Sequence, residues 1–192
     1  MAFDILTYRT GSSVRLAPVE PRHAPLFCFA LLTIACALAS FAFACATPFA
    51  AFAVIAAGML PLPSALLMTA AAWLVNQGIG FGFLHYPVDA TTITWGFAIG
   101  AGALAATVAS ALMLHAMRRT GASVAFGAGL IAACAAYELV LFAATLVLGG
   151  AGDFTVAIVG RLGGLNVVWL IGLIAACEVA RLFNAGRRQT VS

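Results

Sequence analysis

Residues 48–61 read PFAAFAVIAAGMLP, an apolar run with a proline at each end. A helix needs about 20 apolar residues to cross a bilayer, and the run between the two prolines has only 12. Two structures fit so short a run: a crossing that recruits flanking residues, or a re-entrant segment whose backbone is covered by neighbouring helices. The fold therefore depends on whether the short run carries the chain across the bilayer or returns it to the side from which it came.

Five longer apolar runs surround the short one, and polar or proline-containing stretches separate them. Each of the five is long enough to span a bilayer as a helix. With the short run included, the predicted helices are 26–46, 49–60, 64–84, 92–117, 122–148 and 156–183. The predicted fold class is an all-α integral membrane protein, a bundle of six transmembrane helices.

The composition excludes the other broad classes of protein. Of the 192 residues, 64% are hydrophobic and 8% are charged, and the mean hydropathy is +1.11, whereas soluble domains are about 25% charged. A disordered chain or a nucleic-acid-binding protein needs polar or basic surface that this sequence lacks. The five cysteines show no metal-binding spacing and are expected to act as small apolar side chains; they are Cys28, Cys36, Cys45, Cys134 and Cys177.

The positions of the arginines predict the orientation of the bundle. All nine basic residues are arginines, and eight of them lie before the first apolar run, between the fourth and fifth, or near the C-terminus. Arginine-rich ends stay on the cytoplasmic side of a membrane. An odd number of crossings must then separate Arg22 from Thr92, and three crossings satisfy this rule. Both termini and the Arg118–Arg119 loop are therefore predicted to be cytoplasmic, with outer loops at 85–91 and 149–155 that carry Asp89 and Asp153.

One membrane domain at 25–184 is predicted, with a cytoplasmic segment at 1–24 and a cytoplasmic tail at 185–192. The small residues at 42–46 resemble a signal-peptidase site, but the apolar run before them is longer than a signal core and follows a polar leader. The first helix is therefore expected to be retained. Residues 1–24 either lie on the membrane surface through apolar side chains such as Phe3 and Tyr8 or form an unstructured tail.

Polar side chains within the apolar runs are the candidate functional residues, because each costs free energy in a membrane and persists mainly inside a bundle or along a pathway. At a rise of 1.5 Å per residue, the deepest of them lie about 13 to 16 Å below the predicted outer loops. We predict that they line a ligand cavity open to the outside. The candidate ligand-binding residues are Asn76, Gln77, His85, Trp95, Tyr137, Glu138, Arg161 and Asn166.

A structural role is the alternative for the same residues. Glu138 and Arg161 are expected to form an ion pair, and amide side chains such as Asn76 hydrogen-bond between membrane helices for well under about 2 kcal/mol each. Glu178 and Arg181 are three residues apart, which places them on one helix face. The pairs Gly96/Gly100 and Gly160/Gly164 have the spacing of helix-packing faces.

Catalysis finds little support in the sequence. There is no HExxH, GxSxG or Walker motif. The glycine-rich stretch at 78–82 ends an apolar helix and does not connect a strand to a helix, so it is not a dinucleotide fingerprint. Neither enzymatic activity nor a cofactor nor a bound metal is expected.

The chain resembles the substrate-binding S-components of energy-coupling-factor vitamin transporters. The features that carry the resemblance are its length, six predicted helices, cytoplasmic ends, a short second helix, an alanine-rich first helix and an outward polar pocket. In that family the first helix contacts the transmembrane coupling subunit through alanines spaced four apart. The pairs Ala35/Ala39 and Ala42/Ala46 look similar.

The resemblance implies a function and a set of partners. The chain would bind a small micronutrient, a vitamin or a cobalamin-like compound, from outside a bacterial inner membrane. A coupling subunit and an ATPase module would energise its uptake, and no nucleic acid would be involved. The alternative is a non-transport accessory or assembly subunit of a larger membrane complex, in which the buried polar groups are structural.

Overall fold

A computed structural model describes residues 15–43, 46–149 and 155–189, and all of its regular secondary structure is helical. One turn of 3-10 helix at Pro21–His23 leads into the first α-helix. The helices are α1 (Ala24–Phe43), α2 (Phe49–Met59), α3 (Leu62–Gly82), α4 (Ala90–Ala116), α5 (Ala122–Leu148) and α6 (Val156–Gln189). The predicted helices are confirmed to within a few residues at every end except that of α6, which continues six residues beyond the predicted 183.

Side-chain contacts fix the directions of the helices. Cys36 donates from Sγ to the carbonyl of Ala72 at 3.1 Å, and Asn76 donates from Nδ2 to Ser40 Oγ at 2.9 Å. Both contacts join residues 36 apart, so α1 and α3 run parallel. A re-entrant second segment would return the chain to its starting end and make them antiparallel. In the bundle, the segment between α1 and α3 therefore runs from one end to the other.

The remaining helices alternate in direction. The hydroxyl groups of Thr107 and Thr69 are 3.0 Å apart across α4 and α3, and Ser110 donates to the carbonyl of Gly129 across α4 and α5 at 3.5 Å. Helices α1, α3 and α5 begin at one end of the bundle, and α2, α4 and α6 end there. This end is called here the arginine end, because Arg22 and Arg118 lie there. The opposite end, where Asp89 precedes α4, is called the aspartate end.

Helix α2 is the centre of the molecule. It contacts each of the other five helices, and residues 49–56 are at most 1% exposed. A helix that is apolar on every side is stable only when other elements surround it. Its 11 residues measure about 16 Å, roughly half the thickness of a bilayer core, so α2 fills the arginine-end part of the bundle and stops short of the aspartate end.

The other five helices are long and apolar enough to cross a membrane. Large apolar side chains cover their outward faces, including Leu26, Leu67, Leu74, Leu139 and Val168, each at least 60% exposed. In water so much exposed apolar surface would cause association. The chain is therefore a multi-pass helical membrane protein.

The small residues of α1 do not form the free surface that the family resemblance implies. Ala35 is 4% exposed and Ala39 is fully buried, because the face that carries them packs inside the bundle, where α1 lies against α3. Helix α1 ends at Phe43, so Ala42 and Ala46 do not share a helix. Neither alanine pair therefore forms an exposed helical face in this structure, and contact with a coupling subunit stays a prediction.

Candidate functional site

The N-terminal end of α2 is the point where most of the predicted polar residues converge. Pro48 precedes the helix and supplies no side-chain cap, although the first N–H groups of any helix need hydrogen-bond acceptors. Asn166 of α6 supplies one: its Oδ1 accepts from the N–H of Ala51 at 2.9 Å. Its Nδ2 donates to the carbonyl of Leu162 at 3.0 Å. Asn166, which is 8% exposed, therefore caps α2 from a different helix.

Asn76 of α3 holds the chain just before α2. Its Nδ2 donates to Ser40 Oγ and to Thr47 Oγ1, both at 2.9 Å, and its Oδ1 accepts from Gln77 Nε2 at 3.2 Å. Both donor hydrogens and one acceptor position of this amide are thus in use. Asn76 ties the end of α1 and the approach to α2 onto α3.

The prediction that the deep polar residues share one depth is confirmed. Asn76 reaches Thr47 and Asn166 reaches Ala51, immediately before and within the first turn of α2. At the same level the ring of Tyr137 on α5 packs against Phe49, with centroids 6.3 Å apart. Tyr137 is 9% exposed, so its ring is part of the core around α2.

Three of the candidate residues at or beyond this level are half-buried: Gln77, Trp95 and Glu138. The side-chain oxygen of Gln77 lies 2.5 Å from the position that a Cβ of Gly96 would occupy, so any larger residue at 96 would displace it. Glu138 shares a face of α5 with Cys134 and Leu141, which are one turn away on either side and also half-buried.

The predicted ion pair between Glu138 and Arg161 is absent from the described residues. The ion pairs found there join Glu20 to Arg22 and His23, and Glu178 to Arg181. Arg161 is exposed and lies five residues from Asn166 on α6, towards the aspartate end. The expected pair was wrong because α5 and α6 make little contact with each other, whereas the predicted Glu178–Arg181 pair is confirmed.

The loop after α3 places the last candidate residue at the aspartate end. His85 is exposed and has a φ of 55°, in the left-handed region. This conformation turns the chain so that Tyr86 folds back on α3: its N–H donates to the carbonyl of Gly80 at 3.1 Å. A Cβ on Gly80 would lie 2.8 Å from the Tyr86 ring, so only glycine permits this fold.

Asp89 ends that loop as the N-cap of α4. One carboxylate oxygen accepts from the N–H of Thr92 at 2.8 Å, and the other accepts from the hydroxyl of the same residue at 3.1 Å. The hydrogen bond from the Thr92 N–H is the main reason that the pKa of Asp89 lies below its ordinary value. This carboxylate fixes the start of α4. Asp153, the acid predicted for the other outer loop, lies outside the described residues.

The glycine pairs differ in what surrounds them. Side chains of α3, those of Gln77 and Trp73, would meet a Cβ added at Gly96 or Gly100, and Trp73 donates from Nε1 to the carbonyl of Gly96 at 2.9 Å. The predicted packing face at Gly96/Gly100 is therefore confirmed. A Cβ at Gly160 or Gly164 would meet nothing within 4 Å, so this second pair packs on no described part of the chain.

An apolar groove of about 340 Å³ lies between α1 and α6 on the side of the bundle. Its walls carry almost no polar surface and are formed by Leu31, Ile34, Ala35, Leu38, Val168, Trp169, Gly172 and Leu173. None of the predicted ligand-binding residues lines it. Apart from the indole N–H of Trp169, the side chains that line this groove offer a polar ligand no hydrogen-bond donor or acceptor.

The residues that sequence reasoning missed are the partners of the predicted ones. Ser40 and Thr47 are almost fully buried acceptors for Asn76, and Leu16, before α1, donates its N–H to the carbonyl of Gly58 at 2.8 Å. A signal was present: Pro48 cannot cap a helix with its side chain. A buried helix with no local cap requires a cap from elsewhere in the chain.

Comparison of the chain with protein-family models, with curated proteins and with solved structures finds no match. Among residues 15–43, 46–149 and 155–189, no group of three His, Cys, Asp or Glu side chains is placed to hold a metal ion. Any functional assignment therefore depends on this chain's own geometry.

Proposed function

We propose that the chain is a membrane-embedded substrate-binding subunit that takes up a small micronutrient, a vitamin or a cobalamin-like compound, across a bacterial inner membrane with partner subunits. In this proposal it crosses the membrane six times, with the arginine end in the cytoplasm and the aspartate end outside. The alternating helix directions and the positive-inside rule both support this orientation. Like the S-components it resembles, it would depend on a coupling subunit and an ATPase module.

The observation that carries the proposal is the short reach of α2. Its first turn lies level with Asn76 and Asn166. From this level α3 continues for another 6 residues and α6 for another 10 towards the aspartate end, or about 9 and 15 Å. Among the helices that the structure describes, none occupies the centre of that outer region. The half-buried Gln77, Trp95 and Glu138 lie at or beyond this level, where they could contact a ligand entering from outside.

The charges in this region also favour a ligand. Glu138 and Arg161 have no ion-pair or hydrogen-bond partner among the described residues. A carboxylate at membrane depth is costly unless a partner or a proton neutralises it. A ligand that carries complementary polar groups would lower that cost by contacting the Glu138 carboxylate.

A different observation favours the accessory-subunit alternative. Asn76 and Asn166, the two most deeply placed amides, already use their side chains to hold α2. In an accessory subunit these hydrogen bonds are the whole purpose of the polar residues, and the unfilled groove between α1 and α6 would contact lipid or a neighbouring chain. No bound small molecule is then expected.

The test is to purify the protein in nanodiscs made from its native membrane and to identify the small molecules and subunits that accompany it. We expect a defined small molecule that is lost from Glu138→Gln and Gln77→Ala but kept by the control Leu139→Ala, which removes an exposed side chain next to Glu138. Folded preparations with partner subunits and no small molecule would favour the accessory-subunit function.

A further inference from the structure

Residues 15–20, called here the strap, cross the arginine end of the bundle before α1 begins. Two of their side chains, Leu16 and Pro18, are buried, and Leu16 is 4% exposed. The strap touches two helices: the N–H of Leu16 donates to the carbonyl of Gly58 at 2.8 Å, and Asn184 Nδ2 donates to the carbonyl of Pro18 at 3.3 Å. It therefore joins the last turn of α2 to the C-terminal part of α6.

The contact with α2 satisfies a need of the central helix. The last carbonyls of a helix have no partner within it, and those of α2 lie in the interior of the bundle. The carbonyl of Ala56 accepts from the N–H of Leu60 at 2.9 Å, and that of Gly58 accepts from the strap. Without the strap, the Gly58 carbonyl would need water, because a buried carbonyl with no partner is costly.

The absence of a side chain at Gly58 leaves room for this arrangement. A Cβ there would lie 2.8 Å from the Phe126 ring and 3.8 Å from Cδ1 of Leu16. The ring of Phe126, itself buried, thus closes against the α2 backbone beside the strap leucine. Together, the leucine and the ring cover the end of α2 with apolar surface.

The strap also differs from the helices that it crosses. It is not helical, Ala17 within it is exposed and Val19 is half-buried, and a backbone hydrogen bond links it to α2. Segments outside the packed helices open more readily than the core of the same protein. The strap can therefore leave while the helices stay packed.

We propose that the strap is a releasable seal over the arginine end of α2, and that its release admits water to the last turn of the central helix. Under the proposed orientation this seal closes the cytoplasmic end of the protein, opposite the end at which a ligand would enter. The seal does not depend on the transport proposal, because it concerns only this chain's own contacts.

Hydrogen–deuterium exchange of the full chain in nanodiscs tests the seal. The variant Leu16→Ala removes the buried side chain that holds the strap against the bundle. We expect the amides of the strap and those of residues 58–60 to exchange faster by the same factor, roughly thirtyfold. Amides in the middle of α4 and α5 should not change. The matched control is Leu26→Ala, which removes a leucine that is 69% exposed near the start of α1, and no amide should change in it.

Other outcomes overturn the proposal. Faster exchange in the strap with no change at 58–60 would make the strap a surface attachment that seals nothing. Faster exchange throughout the chain would make Leu16 a part of the folded core. If Leu16→Ala yields no folded protein, Asn184→Ala is measured in its place, because it removes only the hydrogen bond to Pro18. A smaller increase in exchange rate that is equal at the strap and at residues 58–60 supports the seal. Unchanged exchange rates at both places refute it.

Discussion

At the scale of single residues, two asparagines fix the starting point of the central helix. Asn166 accepts from the backbone of α2, and Asn76 donates to Thr47, two residues before that helix. The two amides come from α6 and α3, on different sides of α2. A polar side chain in a membrane interior can therefore be explained by the backbone it satisfies as well as by any ligand it contacts.

Replacing Asn166 by alanine should lower the free energy of unfolding by about 1 to 3 kcal/mol, because it leaves the N–H of Ala51 without an acceptor in the protein interior. The measurement is unfolding in mixed micelles by titration with a denaturing detergent. Val167→Ala is the control, since Val167 is the adjacent residue and is 46% exposed. Equal losses in the two variants would contradict the capping role.

The sequence could not distinguish these roles. It predicted correctly that Asn76, Glu138 and Asn166 share a depth, because the rise per residue of a helix is fixed. It could not show which acceptor each amide meets, since that depends on how the helices rotate about their axes. The expected pairing of Glu138 with Arg161 failed because the sequence does not show that α5 and α6 make little contact.

At the scale of whole elements, α1 uses its small residues to pack against its own bundle. Ala39 is fully buried, and Cys36, on the same face, donates to the Ala72 carbonyl of α3. Small residues allow helix backbones to approach closely in membrane proteins. The pair Ala35/Ala39 thus lies on the face of α1 that packs inside the bundle, where α1 contacts α3.

Ala39→Leu should therefore destabilise the folded chain by about 1 to 3 kcal/mol through overpacking. Ala42→Leu, on the exposed side of the same helix near its end, should change the free energy of unfolding by less than about 0.5 kcal/mol. Detergent-induced unfolding of both variants measures the difference. If Ala39→Leu were as stable as the parent, α1 and α3 would not be packed as described.

The lengths of the apolar runs predicted the helices well, but not the arrangement around α2. Proline and polar residues end each run, so the helix ends were visible in the sequence. The central place of α2 was not, because almost every helix here is apolar all round and the pattern of apolar residues does not show which one is surrounded. Only the shortness of the 49–60 run indicated a special position.

At the scale of the whole molecule, the orientation in the membrane is the next property to measure. A reporter active only in the cytoplasm, fused to the C-terminus or inserted between Arg119 and Gly121, should give signal in both positions if the arginine end is cytoplasmic. A reporter active only outside the cytoplasm should give signal at Gly152. Signal from the external reporter at the C-terminus would reverse the proposed orientation, and loss of signal at Gly152 would remove a crossing from the count.

The dependence of α2 on Asn166 also sets the order in which the protein can mature. Synthesis proceeds from the N-terminus, so α2 leaves the ribosome long before residue 166 is made, and the Ala51 N–H has no amide to receive it. The central helix is thus the second to be synthesised and among the last to be completed. Until α6 is inserted, we expect the first turn of α2 to lack this hydrogen bond. A chain released before residue 166 would present an unfinished core to the quality-control proteases of the cell.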